Sequence, residues 1–348
     1  MFKIFTKALL VFLLCSICTL NAQRLEIIGA GATFPYPLYS KMFDEYNTAR
    51  GVRVNYQAIG SGGGINQLVA RTVDFGGTDA LVSAEVEQGT GDTILHIPTC
   101  LGAVVITYNL LLPDNVRLRF SADVIADIFL GNIRNWNDSR ISELNPGVTI
   151  PSRPITVVYR SDGSGTTNIF TEYLEKTHAV WASTVGSGTA VRWPVGIGAR
   201  GNPGVSASVS QTPGAIGYVE LIYALSNDMP YGDVRNKAGN YITPTIESVS
   251  IAANVAIPPD TKVSLTDTDA VNGYPLSSFT WILLFTEQNY NNRSHEQAKA
   301  TVDLIHWMIT DGQSFASALH YAPLPDAAKQ RGIDLIKSVK YNGQVLVN

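Results

Sequence analysis

The sequence predicts an α/β fold divided into two lobes, and three observations lead to this prediction. The chain has 348 residues, of which 45% are apolar, and this length and composition are typical of two folded domains. Short apolar strands alternate with helices along the chain, which indicates an α/β sheet. Three strand–loop–helix units precede residue 100 and a fourth follows a long interval, so the chain passes from one lobe to another.

The first two units lie within residues 25–69. We predict strands over residues 25–28 and 52–56, and glycine-rich loops at 29–33 and 60–64 follow them. Helices follow both loops, because apolar residues then recur at helical spacing. These residues are Phe34, Leu38, Met42, Phe43 and Tyr46 in the first helix and Ile65, Leu68 and Val69 in the second.

The third and fourth units repeat this order. We predict strands over residues 72–75 and 155–159, with loops at 76–79 and 160–167. A helix is expected to start near Ser83 after the third loop. The helix after the fourth loop carries its apolar residues at Ile169, Phe170, Tyr173 and Leu174.

A late strand closes the predicted architecture. Residues 274–285 are apolar enough for a strand that returns the chain to the first lobe, and two crossings between the lobes form a hinge. We place the first lobe at residues 23–102 and 277–348 and the second lobe at residues 103–276. A ligand would then lie in the cleft between the lobes.

The amino terminus predicts an export signal. Lys3 and Lys7 flank the start of an apolar run over residues 8–20, which is too short to span a bilayer. We place cleavage after Ala22, so residues 1–22 form the signal peptide. We therefore expect a soluble mature protein that is periplasmic or secreted.

The cysteines give the mature chain no disulfide. Cys15 and Cys18 lie in the signal peptide, so Cys100 is the only cysteine of the mature chain and no internal disulfide can form. A lipoprotein is disfavoured, because the residues that precede the first two cysteines are Leu14 and Ile17 and not small residues.

The charge balance excludes one class of partner. Lys and Arg number 25 against 29 Asp and Glu, the net charge is −4, and the sequence has no basic run. Binding to a polyphosphate backbone needs such a run, so we expect no nucleic-acid partner. The five histidines are scattered and form no metal-binding motif, so we expect neither a metal nor another cofactor.

The glycine-rich loops predict where a ligand binds. Loops that follow parallel strands gather at the carboxyl edge of a sheet, and helix starts offer free N–H groups and a partial positive charge. Three helix starts rich in Gly, Ser and Thr can surround one small anion, with Asp79 and Arg160 in adjoining loops. Each loop alone is better explained as an ordinary turn or helix cap, but the combination favours a ligand.

Other anion-binding motifs do not match. A dinucleotide-binding loop would need a third glycine where the chain has Phe34. The sequence contains neither the Gly-Lys-Ser/Thr of a phosphate loop nor the G-x-S-x-G of a serine hydrolase. Nucleotide binding and serine hydrolysis are therefore disfavoured.

Five ordered motifs run through nearly the whole mature chain. They read GAGATFP, YQAIGSGGG, TVDFGGTD, RSDGSGT and PGAIGYVE, at residues 29–35, 56–64, 72–79, 160–166 and 213–220. Together they closely resemble the phosphate-binding proteins of ABC-type phosphate importers. The resemblance implies the two-lobed periplasmic-binding-protein fold, which closes about a hinge.

The resemblance also implies which residues bind the ligand. Arg160 would be the cationic partner, Asp79 the acceptor, and Asp162 the acid that holds the Arg160 guanidinium. The chain departs from the family pattern at Gly62 and Gly77, where Ser or Ala is usual. The hydrogen-bond donors would be Thr33, Phe34, Ser61, Ser164, Gly165 and Thr166.

A physical argument supports phosphate at Asp79. Phosphate keeps at least one hydrogen at neutral pH and sulfate keeps none, so a buried carboxylate accepts a hydrogen bond from phosphate and repels sulfate. A site that uses a ligand hydroxyl rejects the analogue lacking it by roughly 10⁴ to 10⁵. The alternative for Asp79 is an ordinary helix N-cap after Thr78.

Together these observations predict a non-catalytic carrier. It would act as a monomer, bind inorganic phosphate between the lobes and deliver it, as the resemblance implies, to an ABC-type permease in the membrane. Two alternatives stay open at this point. One is an exported phosphoryl-transfer enzyme or phosphomonoesterase built on the same anion site, and the other is a carrier for another oxyanion such as sulfate or molybdate.

Overall fold

The structure is a computed structural model that describes residues 25–113 and 116–347. The predicted signal peptide, residues 1–22, lies outside the described residues. The predicted α/β class is confirmed, since a mixed eight-stranded sheet is flanked by helices. Within the described ranges, no helix combines the length and the apolar character needed to cross a membrane.

The main sheet has eight strands. They are β1 (Glu26–Gly31), β2 (Arg53–Ala58), β3 (Phe75–Thr78), β4 (Ile94–Tyr108), β6 (Thr156–Arg160), β7 (Ile197–Ala199), β8 (Ala215–Glu220) and β11 (Ser277–Phe285). Their order in the sheet is β2-β1-β3-β11-β4-β8-β6-β7. Strands β2, β1 and β3 are parallel to one another, as are β8, β6 and β7, whereas β11 and β4 pair antiparallel between these groups. Smaller sheets contain β5 (Arg119–Phe120), β9 (Asp233–Arg235), β10 (Tyr241–Ile242), β12 (Lys340–Tyr341) and β13 (Gln344–Val345).

Helices cover the sheet and connect its parallel strands. In the described ranges they are α1 (Tyr36–Arg50), α2 (Ser61–Val69), α3 (Ala84–Thr90), α4 (Ala122–Leu130), α5 (Ser139–Leu144), α6 (Gly165–Thr177), α7 (Ala179–Thr184), α8 (Gly201–Gln211), α9 (Leu221–Ser226), α10 (Ile246–Ala252), α11 (His295–Ile309) and α12 (Asp326–Lys337). Two short 3₁₀ helices, Asp311–Phe315 and Ser317–Leu319, follow α11.

Strand β4 runs through both halves of the sheet. Its 15 residues are all buried, as expected of a strand covered on both faces. It pairs with β11 from Ile94 to Ala103 and with β8 from Val104 to Tyr108. The change of partner falls beside the lobe boundary predicted from the sequence, and the boundary itself stays a prediction.

The predicted strand over residues 72–75 is wrong in its bounds. Pairing with β1 begins only at Phe75, opposite Gly29, and continues through Gly77. The residues before it close α2 instead, since the Thr72 N–H donates to the Gln67 carbonyl. The helix predicted from Ile65 begins earlier, at Ser61, and the one predicted near Ser83 begins at Ala84 with Ser83 as its N-cap.

Aromatic packing fixes the fourth loop on its strand. Phe170 of α6 stacks on Tyr218 of β8 with ring centroids 4.3 Å apart, a geometry that contributes beyond area burial. The Tyr218 hydroxyl accepts from the Arg160 N–H at 3.1 Å and shares a hydrogen bond with Thr167 at 2.7 Å. The end of β6 and the start of α6 are therefore tied to one buried side chain.

Candidate functional site

The hydroxyl of Ser61 joins three of the predicted loops. Ser61 is fully buried at the start of α2, and its Oγ accepts from the Asp79 N–H and the Gly165 N–H, each at 3.1 Å. The Ser61 hydroxyl donates in turn to Asp79 Oδ2, with 3.3 Å between the two oxygens. The second, third and fourth loops thus meet within hydrogen-bond distance of one oxygen atom.

Asp79 places a buried carboxylate at this meeting point. Only 2% of the residue is exposed, and Oδ1 accepts from the Thr280 hydroxyl at 2.8 Å. Burial raises the pKa of Asp79 to about 7, against the lowering effects of the Thr280 hydrogen bond, the Arg160 charge and the Ser61 hydrogen bond. The N-cap alternative for Asp79 is wrong, because the next helix begins at Ala84 and is capped by Ser83.

Arg160 and Asp162 form a bidentate ion pair. Nε of Arg160 donates to Oδ1 at 2.8 Å and Nη2 donates to Oδ2 at 2.6 Å, while the Gly201 N–H donates to Oδ1 at 3.0 Å. Burial raises the pKa of Asp162, but hydrogen bonding and attraction from Arg160 outweigh it and hold the pKa below its ordinary value. The Arg160 side chain is 1% exposed, and its guanidinium is thereby held in one orientation.

Two tyrosine hydroxyls donate hydrogen bonds to backbone carbonyls of the first loop. The Tyr223 hydroxyl donates to the Thr33 carbonyl and the Tyr321 hydroxyl to the Phe34 carbonyl, both at 2.6 Å. Phe34 is fully buried. These bonds hold the two carbonyl oxygens and so fix the peptide units that precede α1.

The start of α6 supplies the remaining predicted donors. Ser164 is the N-cap, and its Oγ accepts from the Thr167 N–H at 3.0 Å. Its backbone N–H donates to the Thr189 carbonyl at 2.8 Å, so the hydroxyl hydrogen is the group that Ser164 can offer to a ligand. The Thr166 hydroxyl accepts from Arg160 Nη1 at 3.3 Å.

Gly62 and Gly77, the two departures from the family pattern, both lie close to other parts of the chain. A Cβ at Gly77 would lie 2.3 Å from the hydroxyl oxygen of Tyr56, and that hydroxyl donates to the Ala32 carbonyl at 3.0 Å. A Cβ at Gly62 would lie 3.2 Å from the Cα of Gly163, and the Gly62 N–H donates to the Gly163 carbonyl at 3.0 Å. Side chains at these positions would therefore press on the predicted binding loops.

The structure brings all the predicted site residues into one connected region. Sequence reasoning missed several of their hydrogen-bond partners, among them Asn202, Tyr223, Thr280 and Tyr321. Thr280 could have been singled out from the sequence, since it is a polar residue within the apolar strand Ser277–Phe285. Asn202 could also have been singled out, because it follows Gly201 at a further glycine-marked helix start.

The polar groups of this region are suited to binding an anion and not to nucleophilic catalysis. Guanidinium, hydroxyl and helix-start N–H groups all donate, and Asp79 is the acceptor among them. The thiol of Cys100 is fully buried, and burial together with the Asp79 and Glu220 charges raises its pKa, which keeps it as an unreactive thiol.

Comparisons with known proteins show the family to which the chain belongs. Residues 19–311 match the PBP superfamily domain. The phosphate-binding protein PstS of Xylella fastidiosa (strain 9a5c) is 44% identical over 313 residues, which cover 88% of this chain and 83% of that protein. PstS of Pasteurella multocida is 40% identical, with 93% and 94% coverage.

A solved structure has the same fold. The phosphate-binding protein from Stenotrophomonas maltophilia matches with a TM-score of 0.68 at 19% identity, over 88% of this chain and 92% of that one. This likeness shows the fold alone, and the sequence matches to PstS proteins show the family. The chain belongs to the PBP superfamily and, within it, to the family of PstS phosphate-binding proteins.

Proposed function

We propose that this protein binds inorganic phosphate in the cleft between its two predicted lobes and delivers it to an ABC-type importer. The names of its relatives support phosphate as the ligand. The proposed carrier is exported, acts as a monomer and catalyses no reaction. The enzyme and the sulfate or molybdate carrier are not favoured by the relatives.

The observation that carries the proposal is the buried carboxylate of Asp79 among donors. Thr280 and Ser61 hold its two oxygens, and the start of α6 approaches so closely that a Cβ at Gly165 would lie 2.6 Å from Oδ2. An anion in this region meets donors together with one acceptor. A protonated oxyanion satisfies both, whereas a fully ionised one leaves two negative charges facing each other.

The proposed ligand contacts follow from this arrangement. Arg160 supplies the charge, with Asp162 fixing its guanidinium, and Asp79 accepts the ligand hydrogen. The donors are hydroxyl and backbone groups of the helix starts, namely Thr33, Phe34, Ser61, Ser164, Gly165 and Thr166. The Gly165 N–H, which donates to Ser61 Oγ, and the Ser61 hydroxyl, which donates to Asp79 Oδ2, would turn to the ligand when it binds.

Isothermal titration of the mature protein with phosphate, arsenate and sulfate tests the proposal. At about pH 8.5, where Asp79 is mostly ionised, we expect tight binding of phosphate and arsenate, which both keep a hydrogen, and sulfate weaker by at least about thirtyfold. Equal affinity for sulfate would favour the general oxyanion carrier. Hydrolysis of a chromogenic phosphate ester that is lost in Ser164→Ala would favour the enzyme.

The raised pKa of Asp79 predicts a pH-dependent selectivity. Its carboxyl group is mostly ionised above pH 7 and mostly protonated below it, because burial moves its pKa to about 7. A protonated Asp79 donates to sulfate and no longer repels it. We expect sulfate affinity to rise about thirtyfold between about pH 8.5 and pH 5.5, as measured by sulfate titration at each pH. Sulfate affinity that stays constant across this range would contradict the assigned role.

Gly165→Ala tests the close approach of α6 to Asp79. The added methyl would lie 2.5 Å from Ser61 Oγ and 2.6 Å from Asp79 Oδ2, so the helix start must move back. We expect phosphate affinity to fall by at least about tenfold, since one charge-assisted contact is worth that much. The buried clash should also lower the free energy of unfolding without phosphate by about 1–3 kcal/mol. Gly89→Ala, at an exposed position of α3 with open space around it and no positive φ, is the control for glycine replacement. Unchanged affinity in Gly165→Ala would show that the contact is dispensable.

A further inference from the structure

Asn202 is a buried residue that connects three parts of the site. It lies in the first turn of α8 and is fully buried. Its Nδ2 donates to the Thr33 hydroxyl at 3.0 Å and to the Thr166 hydroxyl at 3.2 Å. Its Oδ1 accepts from the Glu220 N–H at 3.0 Å. The amide thus spans the first loop, the start of α6 and the end of β8.

The Glu220 N–H fixes which way the amide points. A backbone N–H can only donate, so the Asn202 atom that faces it must be the carbonyl oxygen. The NH₂ group is then directed to Thr33 and Thr166. Because Asn202 has two amide hydrogens and two hydroxyl oxygens in range, each threonine receives one of them.

The acceptor capacity of the Thr33 hydroxyl is thereby filled. Thr33 Oγ1 accepts from Asn202 Nδ2 and also from the Asn202 backbone N–H at 3.2 Å. A hydroxyl oxygen has two lone pairs and one hydrogen. With both lone pairs occupied, the hydroxyl can take part in a further hydrogen bond only as a donor.

The Thr166 hydroxyl is in the same state for a different reason. Its Oγ1 accepts from Asn202 Nδ2 and from Arg160 Nη1 at 3.3 Å. Guanidinium and amide N–H groups cannot accept in return. Thr166 therefore also has only its hydrogen left to offer.

We propose that Asn202 is a positioning residue that forces the Thr33 and Thr166 hydroxyls to act as donors to the bound anion. This inference rests on the proposed function, because it takes both threonines as phosphate contacts. Without Asn202, each hydroxyl could turn to accept a hydrogen from its surroundings or from a protonated ligand oxygen. With Asn202, the two hydroxyls match the unprotonated oxygens of phosphate, and the ligand hydrogen is left to Asp79.

Two substitutions of Asn202 have different expected effects. Asn202→Ala removes the constraint but leaves the hydroxyls free to donate, so phosphate affinity should fall about tenfold. Asn202→Asp keeps the shape and the acceptor for the Glu220 N–H, but its carboxylate attracts both hydroxyl hydrogens and repels the anion. For this variant we expect a loss of about a thousandfold. Asn254→Ala, at an exposed asparagine, should bind like the wild type.

A double-mutant cycle separates positioning from a general structural role. Phosphate titration would compare Asn202→Ala in the wild type with the same change in a Thr33→Val, Thr166→Val background. If Asn202 acts through the two hydroxyls, it should cost less than about twofold in that background. A full tenfold cost there, or wild-type affinity in Asn202→Asp, would overturn the inference. Failure of the wild type itself to bind phosphate would instead refute the proposed function.

Discussion

We expect Asp79→Asn to lower the preference for phosphate over sulfate by at least about a hundredfold. The amide carries no charge to repel sulfate, and its NH₂ group can donate to a sulfate oxygen, so most of the discrimination gained from a ligand hydroxyl disappears. Phosphate affinity should fall only about tenfold, because the amide oxygen still accepts its hydrogen. Competition titrations with both anions measure the two affinities in one protein.

Asp79→Asn preserves the shape of the side chain, so a change in affinity can be assigned to the lost charge. Asp79 is buried and its Oδ1 receives the Thr280 hydroxyl, and an amide oxygen can accept the same bond. The fold should therefore persist, which circular dichroism and thermal unfolding can verify. If both affinities fall by the same factor, Asp79 has a structural role and the selectivity argument fails.

Arg160→Ala is expected to weaken phosphate and sulfate alike, by about a thousandfold. The change removes the buried positive charge that pairs with the anion, and truncation of one partner in a buried charge pair costs about 2–5 kcal/mol of binding free energy. It also leaves Asp162 without its bidentate partner. Both anions use this charge equally, so their affinity ratio should stay near that of the wild type. Titration of the variant with each anion measures the two losses.

Arg140→Ala is the matched control for the loss of one positive charge. Arg140 is partly exposed and pairs with Asp127 and Asp138, so its removal changes the net charge by the same amount away from the site. Wild-type affinity in this variant would show that local donors, and not net charge, bind the ligand. An Arg160→Ala effect confined to one anion would contradict the assigned role.

The sequence was sufficient for the α/β class and for the helix starts of the site. Strand and helix periods and glycine-rich loops are local signals, and they located the loops that carry Thr33, Ser61 and Ser164 close to where the structure has them. The strand bounds near Asp79 were wrong because Gly76 and Gly77 suggest a loop. Within β3 the lack of a side chain at Gly77 lets Tyr56 approach the backbone.

The supporting contacts could not be predicted, because they depend on tertiary packing. Thr280 reaches Asp79 across 201 positions and Asn202 reaches Thr33 across 169, and no local period carries such information. The pKa of Asp79 is equally non-local, since burial by several chain segments raises it. The sequence therefore predicts the binding residues, and the structure adds the contacts that orient them.

A crystal structure of the phosphate complex at a pH above 7 tests the central claim most directly. We expect one phosphate enclosed by Thr33, Ser61, Arg160 and Thr166, with an oxygen of Asp79 about 2.5–2.7 Å from a phosphate oxygen, as in a hydrogen bond to a carboxylate. A phosphate bound elsewhere, or bound here with Asp79 turned away beyond hydrogen-bond distance, would contradict the account.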